Sequence, residues 1–544
     1  MSALPPFETH AVDNQPPPFE PRDLWADDAA LREAVEREGA AAWSPRLAQY
    51  AALAGDELYR IGFDANRDKP RLKTHDRCGR RIDVVEFHPA YHRLMEAAKE
   101  HGVAGLSWHE PRPGAHVARA ALSYLHHQVE AGTSCPLTMT HAAVPVLRRE
   151  PALREWADKA AAPHYDPRDA AIGDKAGLTV GMGMTEKQGG SDVRSNATVA
   201  TPLAADGEYA LVGHKWFFSA PMSDGWLVLA QAPGGLSCFL LPRRLPDGAR
   251  NAFRIMRLKD KLGDWSNASS EVEFTGAWAR RIGDEGRGVA TIIGMVMLTR
   301  LDCMLGSAAE MRMALAQAVH HARHRSAFGR KLADHALMRN VLADLAIESE
   351  AALALSMRVA RAVDVAPGDA GAAAFARIAT AIGKYWICKR TPAFVNEAQE
   401  CLGGAGYVEE SMLPRLYRQA PLNSIWEGSG NIQCLDVLRA LSREPETGAA
   451  LLAQLDSVRG DAVYAAAVAA LKRQLASGDA TEAGARLLVE RLALALQASV
   501  LLGADSPLAE AFVRSRLGGG HGLAFGTLPG DVDGEPLLVR ALPS

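Results

Sequence analysis

No C-x-x-C pair and no even, clustered set of cysteines occurs in this sequence. Cys78, Cys135, Cys238, Cys303, Cys388, Cys401 and Cys434 are odd in number and widely scattered, which argues against a disulfide framework and against a cysteine zinc site. Nor does one charge dominate: 60 Lys and Arg face 64 Asp and Glu, so bulk charge advertises no nucleic-acid partner. The opening MSALPPFETHAVDNQPPPFEP carries no basic patch followed by an apolar stretch, and no later run of about 18 uncharged apolar residues exists. Reduced thiols in a cytoplasmic protein, neither exported nor membrane-anchored, are expected. No internal repeat is apparent.

What the sequence does have is enough chain, 544 residues at 48% hydrophobic and 23% charged, for about three to four soluble domains. Proline crowds the first 25 residues, which predicts an extended arm or wrap. From Asp27 the pattern changes. DDAALREAVER and SPRLAQYAALAGDELYRIG open on Asp or Ser and space apolar residues three and four apart, as amphipathic helices do. An arm and helical domain are expected over 1–176. Within it, ANRDKPRLKTHDRCGRRIDVVEFHP sets Arg67, Lys69, Arg71, Lys73, Arg77, Arg80 and Arg81 against Asp68, Asp76 and Asp83. That is a basic loop or hairpin, either a solvated connector or a phosphate-contacting insert. Over 177–285 the period shifts to two, in YALVGHKWFFSA, GWLVLAQ, LSCFLLP, NAFRIMRL and SSEVEFTGAWARRI, which predicts an antiparallel β domain. The 3.6 period returns near 287–326, 334–365 and 369–402, predicting a helix bundle over 286–443 and a helical extension, rich in Ala and Leu, over 444–544. The fold class is α+β.

Two loops concentrate chemistry. GMGMTEKQGGSDVRSN at 181–196 places Gly181, Gly183, Gly189 and Gly190 around Thr185 and Ser191. Glycines let backbone approach a ligand, and free N–H groups with two hydroxyls suit flavin carbonyls or a pyrophosphate; an ordinary glycine turn has the same composition. The spacing is not G-x-G-x-x-G and no βαβ unit follows, so a Rossmann site is rejected. HKWFFSAP at 214–221 brings Trp216, Phe217 and Phe218 to a strand end before Ser219, either for core packing or as rings beside a flat cofactor.

The second loop lies in ECLGGAGYVEESMLPRLYRQAPLNSIWEGSGNIQCLDVLRALSRE at 400–444. Ile432, Leu435, Leu438 and Leu441 mark one face of a helix whose start Ser429 or Asn431 can cap. Glu427, between Trp426 and Gly428, sits just before that start. It is either a partner of the helix dipole or a base beside an amide donor, the pairing that proton abstraction next to a carbonyl needs. His320, His321 and His324 lack a carboxylate at metal spacing and read as exposed polar residues, while Cys303 and Cys434 read as core thiols.

These motifs carry a resemblance. TEKQGGSDV resembles the TEPGAGSDV-type flavin loop of acyl-CoA dehydrogenases, HKWFFSA their strand ending in WITN, and SIWEGSGNIQ their IYEGTSEIQ. RHRSAFGR at 323–330, KLGDWSNASSEVEF at 261–274 and CLGGAGY at 401–407 are similar to the family's RxxFG turn, KLG strand and LGGxGY, all in the family's order. The ETHAVDNQPPP start, the basic insert, GMGMTEKQGGSDV and the extension over 444–544 resemble one branch, the AidB-like alkylation-response flavoproteins.

The resemblance implies an acyl-CoA dehydrogenase-like fold that encloses FAD. Met182, Met184, Thr185, Gly190 and Ser191 take flavin-loop positions. Ser219 stands where the family places a hydroxyl near the flavin ring and Phe217 where a Trp flanks it, with Trp216, Phe218, Trp426, Ser429 and Asn431 in the same cofactor-binding set. Arg325, Phe328, Leu402, Gly403 and Gly404 match positions that reach the FAD of a neighbouring subunit, which implies a homotetramer. Glu427 matches the catalytic base, which removes the α-proton of an acyl thioester while hydride leaves the β-carbon for the flavin. No metal is implied.

Departures shape the expected activity. Gly430 and Asn431 replace a Ser-Glu pair after the base, Glu400 replaces Gln, and Met297 stands three residues before Arg300 where CoA-binding members carry Asp. The resemblance implies slow dehydrogenation of a short branched, isovaleryl-CoA-like substrate. The alternative is a flavoprotein that binds or protects double-stranded DNA, its dehydrogenation vestigial. For DNA the candidates are Arg439, Arg443, Arg514 and Arg516, which would have to meet on one surface. The segment 441–544 as a whole holds nine Lys and Arg against twelve Asp and Glu, a poor footprint for phosphate. A purely structural assembly protein, the third reading, should tolerate loss of FAD and of Glu427 alike.

Overall fold

The computed structural model describes residues 9–478 and 481–543; the first eight residues of the expected arm, and positions 479, 480 and 544, lie outside the described residues. Asp28 accepts from the Leu31 amide and starts α1 (Ala29–Arg37). α2 (Ser44–Leu53) continues through a wide turn at Ala54–Leu58 into α3 (Tyr59–Arg67). The basic segment is an antiparallel hairpin of β1 (Arg71–His75) and β2 (Arg81–Glu86). Its cations are mostly paired with acids close by, Arg67 with Asp64, Arg71 with Asp68, Lys73 with Glu86 and Arg81 with Asp83, which favours a connector over a phosphate-contacting insert. Then follow α4 (Pro89–His101), α5 (Leu106–His109), α6 (Ala115–Val129), α7 (Ala131–Leu147) and α8 (Arg154–Ala161).

The period-two region forms one sheet of β3 (Val180–Gly183), β4 (Val199–Pro202), β5 (Glu208–Ser219), β6 (Gly225–Ala232), β7 (Gly235–Pro242), β8 (Phe253–Leu258) and β9 (Ser269–Ile282). Its order is β3-β6-β4-β5-β9-β7, and β6 also pairs with β7, so five strands close on themselves. Most pairs are antiparallel, as alternation predicts, while β3 and β4 lie parallel to β6. Phe218, Trp226, Phe253 and Phe274 pack inside, with the Phe218 and Trp226 rings 4.6 Å apart.

The bundle consists of α9 (Gly288–His324), a two-residue-stranded hairpin of β10 (Ser326–Ala327) and β11 (Arg330–Lys331), α10 (Ala336–Val365), α11 (Ala370–Cys401), α12 (Met412–Gln419) and α13 (Gly430–Arg443). By length and composition α9 could cross a membrane, but 67% of its most apolar window is buried in the protein; it is the central core helix. The extension adds α14 (Pro445–Asp456), α15 (Ala462–Ala476), α16 (Ala485–Gly503), α17 (Ala509–Phe512) and α18 (Glu535–Ala541). Leu488, Leu492, Leu496, Phe512 and Leu538 join the same apolar cluster as the bundle and the N-terminal helices, so the extension shares their core.

The described part of the arm runs without regular structure to the end of α9. Phe19 is buried against Tyr59 and His320, and His320 Nε2 bonds the Pro17 carbonyl at 2.9 Å. His320 and His321 are consequently buried, not exposed as their polarity suggests. A proline-rich strap covers the helix face that the sequence leaves open.

Candidate active site

Glycine at 190 serves the first loop directly: an added Cβ would come within 2.5 Å of Thr185 Oγ1. The loop is anchored by a pair that sequence reasoning missed. Glu186 and Lys215 are both buried and 2.8 Å apart. Burial alone would raise the Glu186 pKa, but Lys215 and the amides of Ala197 and Thr198 bring it down to about 2. The signal lay in Glu186 of the TEK motif and Lys215 of the HKW motif, charges in otherwise unremarkable positions.

A bulge in β5 between Lys215 and Phe218 changes the phase of the strand. Lys215 and Phe218 both point inward, and Phe218 is a core residue fully buried among Trp226, Phe253 and Phe274. Its expected role at the cofactor is therefore corrected. Phe217 is turned outward and half exposed, with Lys259 Nζ 4.8 Å from its ring, and the same ammonium lies 3.3 Å from the Trp216 ring centre. Ser219 is partly buried, its hydroxyl 3.3 Å from that of Ser269.

Glu427 lies on the loop between α12 and α13. Its φ of 58° is left-handed, a conformation costing a non-glycine residue about 1–3 kcal/mol, and Gly428 follows at 92°. Three helices hold this turn. Lys384 of α11 donates to the carbonyls of Trp426 (2.7 Å) and Gly428 (2.6 Å). Arg300 of α9 donates to the Glu427 carbonyl (3.1 Å), and Gln433 of α13 to those of Glu427 (3.0 Å) and Gly428 (2.9 Å). The carboxylate accepts from Thr299 Oγ1 at 2.7 Å on Oε2. Burial raises its pKa above the ordinary value, and the Thr299 bond with the Lys384 and Arg300 charges offsets this only in part. The residue keeps some surface open although its carboxyl is densely surrounded. The amides of Glu427 and Gly428 donate to no other described residue.

Arg300 is not a free cation. It pairs with Asp436 of α13 at 2.7 Å, and Arg377 shares that carboxylate at 2.8 Å. Met297 thus leaves Arg300 with a partner on another helix. Trp426 donates its indole N–H to Asn423 at 2.9 Å. Trp426, Met182, Met184 and Leu298 all pack on one apolar cluster with Cys135, Met139 and Met295, which brings the glycine loop and the Glu427 loop to a common wall.

Other expected residues lie apart. Ser429 occupies the N-cap of α13 but its side chain makes no capping bond, and Asn431 is an exposed residue inside the helix, bonded to Arg486 of the extension at 2.8 Å. Arg325 donates to the Asn14 carbonyl at 2.7 Å, and Phe328 at the hairpin tip is 97% exposed with φ 52°. Leu402 ends α11, and Gly403 (φ 58°) and Gly404 stand in the open. Among the DNA candidates, Arg439 and Arg443 are exposed on α13, Arg514 pairs with Asp531 at 2.7 Å, and Arg516 is buried against Asp344 (2.5 Å) and Glu348 (3.0 Å). Arg516 is thus corrected to a structural residue out of reach of phosphate. Among the described residues no group of three or more His, Cys, Asp or Glu is placed to hold a metal.

A helical domain, a closed sheet and a bundle in this order, with a buried glutamate on the bundle's loop, define an acyl-CoA dehydrogenase-type flavoprotein. Residues 181–277 match the acyl-CoA dehydrogenase middle domain and 286–442 its C-terminal domain. The chain belongs to the acyl-CoA dehydrogenase family, in its AidB branch. Residues 14–167 match the adaptive response protein AidB N-terminal domain. Over 516 residues, 94% of this chain and 95% of the relative, it is 49% identical to AidB of Escherichia coli (strain K12). It is 32% identical to acyl-CoA dehydrogenase family member 11 of Caenorhabditis elegans over 73% of this chain and 66% of that protein. The crystal structure of C. elegans ACDH-11 in complex with C11-CoA superposes with a TM-score of 0.85 at 26% identity, covering 94% of each chain.

Family members are FAD-dependent, and the residues here fit that cofactor. The outward Phe217 ring, the partly exposed hydroxyls of Thr185 and Ser219, exposed Ser191 and the open backbone at Gly189 offer a ring face, hydrogen-bonding groups and a close approach for main chain.

Proposed function

We propose that the protein catalyses slow α,β-dehydrogenation of a short branched acyl-CoA, of which isovaleryl-CoA is the representative. The observation that carries this reading is Glu427 itself, a carboxylate held beside two unpaired amides and raised in pKa by burial. A base with a raised pKa accepts a proton more strongly in its carboxylate form. Thr299 fixes Oε2, leaving Oε1 to take the α-proton. The Glu427 and Gly428 amides are donors suited to the thioester oxygen as negative charge develops there. The wall of Met182, Met184 and Trp426 excludes water from the reacting carbons. FAD, when bound, supplies the hydride acceptor, and Phe217, Thr185, Ser191 and Ser219 would hold it.

The C11-CoA bound to C. elegans ACDH-11 supports an acyl-CoA at this site and supplies the longer chain against which to compare the short one. A homotetramer belongs to the same reading, because an almost fully exposed Phe328 on a left-handed hairpin tip suits a protein contact; a cytoplasmic location is proposed with it. Double-stranded DNA loses support, since Arg516 is internal and Arg514 already has a carboxylate. Glu427→Gln tests the proposal: flavin should be retained and oxidation lost, and an unchanged oxidation rate would sink it.

A further inference from the structure

Lys384 is 1% exposed in the middle of α11, within the apolar run IATAIGKYWI. It has no carboxylate partner among the described residues; its two acceptors are the carbonyls of Trp426 and Gly428, 42 and 44 positions further on. A buried ammonium without an anion is costly unless its hydrogen bonds are satisfied by something worth holding. What it holds are the carbonyls of the residues before and after Glu427, the one residue of that loop forced into a left-handed conformation without being glycine. Gln433 grips the same stretch from the other side. Gly428 admits it, because an added Cβ would come within 2.7 Å of Gln433 Nε2.

We propose that Lys384 is a positioning residue: by clamping the carbonyls on both sides of Glu427 it keeps the base in the backbone conformation from which its carboxyl meets the substrate. The inference rests on the reading of Glu427 as the base. Arg300 reaches only the Glu427 carbonyl and is itself tied to Asp436, and Gln433 reaches the carbonyls of Glu427 and Gly428, whereas Lys384 bonds carbonyls both before and after Glu427. The charged and titratable groups facing Glu427 are Lys384 on α11, Arg300 and Cys303 on α9 and Cys135 on α7. Of these the two cations favour its carboxylate form.

The test uses the FAD-loaded full chain and two variants. Lys384→Met removes charge and both donors at similar length, and Lys384→Gln removes the charge but keeps an amide donor. In both, hydrogen exchange of the segment 423–433 should quicken, by about tenfold in the Met variant, with the rest of α11 unchanged. Oxidation of isovaleryl-CoA should fall about 10- to 100-fold in kcat at nearly constant KM, and the acid limb of its pH profile should move to higher pH. If Lys384→Met does not fold, Lys384→Gln decides by the same readings. A folded variant with wild-type exchange in 423–433 and a wild-type pH profile would overturn the proposal. Wild-type protein whose flavin no acyl-CoA reduces would instead sink the reading of Glu427, and the exchange result would still decide the role of Lys384.

Discussion

Lys215 and Glu186 show how one residue can govern a loop without touching a ligand. Burial also pulls the Lys215 pKa down, and Glu186 offsets this only in part, so the pair is weak as a net source of stability. Breaking it is another matter: Lys215→Met strands a buried carboxylate and should cost about 3–5 kcal/mol, read as a lowered melting temperature. The Glu186 pKa is depressed to about 2. Its contribution is therefore complete above the ordinary carboxylate value and disappears as pH falls toward 2, so the deficit of the variant should shrink on acidification. At Glu427 the logic runs the other way. In the proposed reaction the carboxylate is the reactive form, and burial raises its pKa, so turnover should be full at higher pH and decline, as pH falls, earlier than a free glutamate would dictate. Glu427→Gln should lower kcat about 10²- to 10⁴-fold with flavin absorbance retained, measured by rapid-mixing spectrophotometry.

At the scale of elements, the extension is held to the bundle by buried charge as well as by leucines. Arg516 satisfies Asp344 and Glu348 of α10 at once. Arg516→Ala leaves both carboxylates buried without their guanidinium and should destabilise by about 3–5 kcal/mol, with proteolysis beginning near 513–534. In the proposed homotetramer the β10–β11 hairpin, with its exposed Phe328, is the contact: Phe328→Asp should shift the protein to smaller species in light scattering, and an unchanged mass would argue against a contact there. The long helices were legible because their Ala and Leu residues recur at 3.6, and the strands β5 to β9 because each is bounded by turn residues. Phe218 was misplaced because a bulge after Lys215 breaks the alternation, which no period can announce. Arg516 was misplaced because charge counting over 441–544 cannot see acids on a helix some 170 positions earlier. His320 and His321 were misread because the strap over them has no periodic pattern of its own. The motifs made Glu427, Trp426, Met182 and Met184 candidates, and the fold brings the loops that carry them to one wall; Lys384, Thr299 and Gln433 were not legible, since their partners are backbone atoms or a carboxylate distant in sequence.

For the whole molecule, N-terminal helices, bundle and extension share one apolar core, a second cluster joins the sheet to α7, α8 and α9, and the two motif-bearing loops converge on that second cluster as a common wall. The central claim is that this wall encloses a working dehydrogenase with Glu427 as its base. Its most direct test is anaerobic mixing of the FAD-loaded protein with isovaleryl-CoA while the flavin absorbance is followed. The expected result is slow bleaching of the oxidised flavin, faster as pH rises and about 10²- to 10⁴-fold slower in Glu427→Gln. Flavin that stays oxidised with isovaleryl-CoA and with a C11 acyl-CoA, or that bleaches equally in the variant, would contradict it.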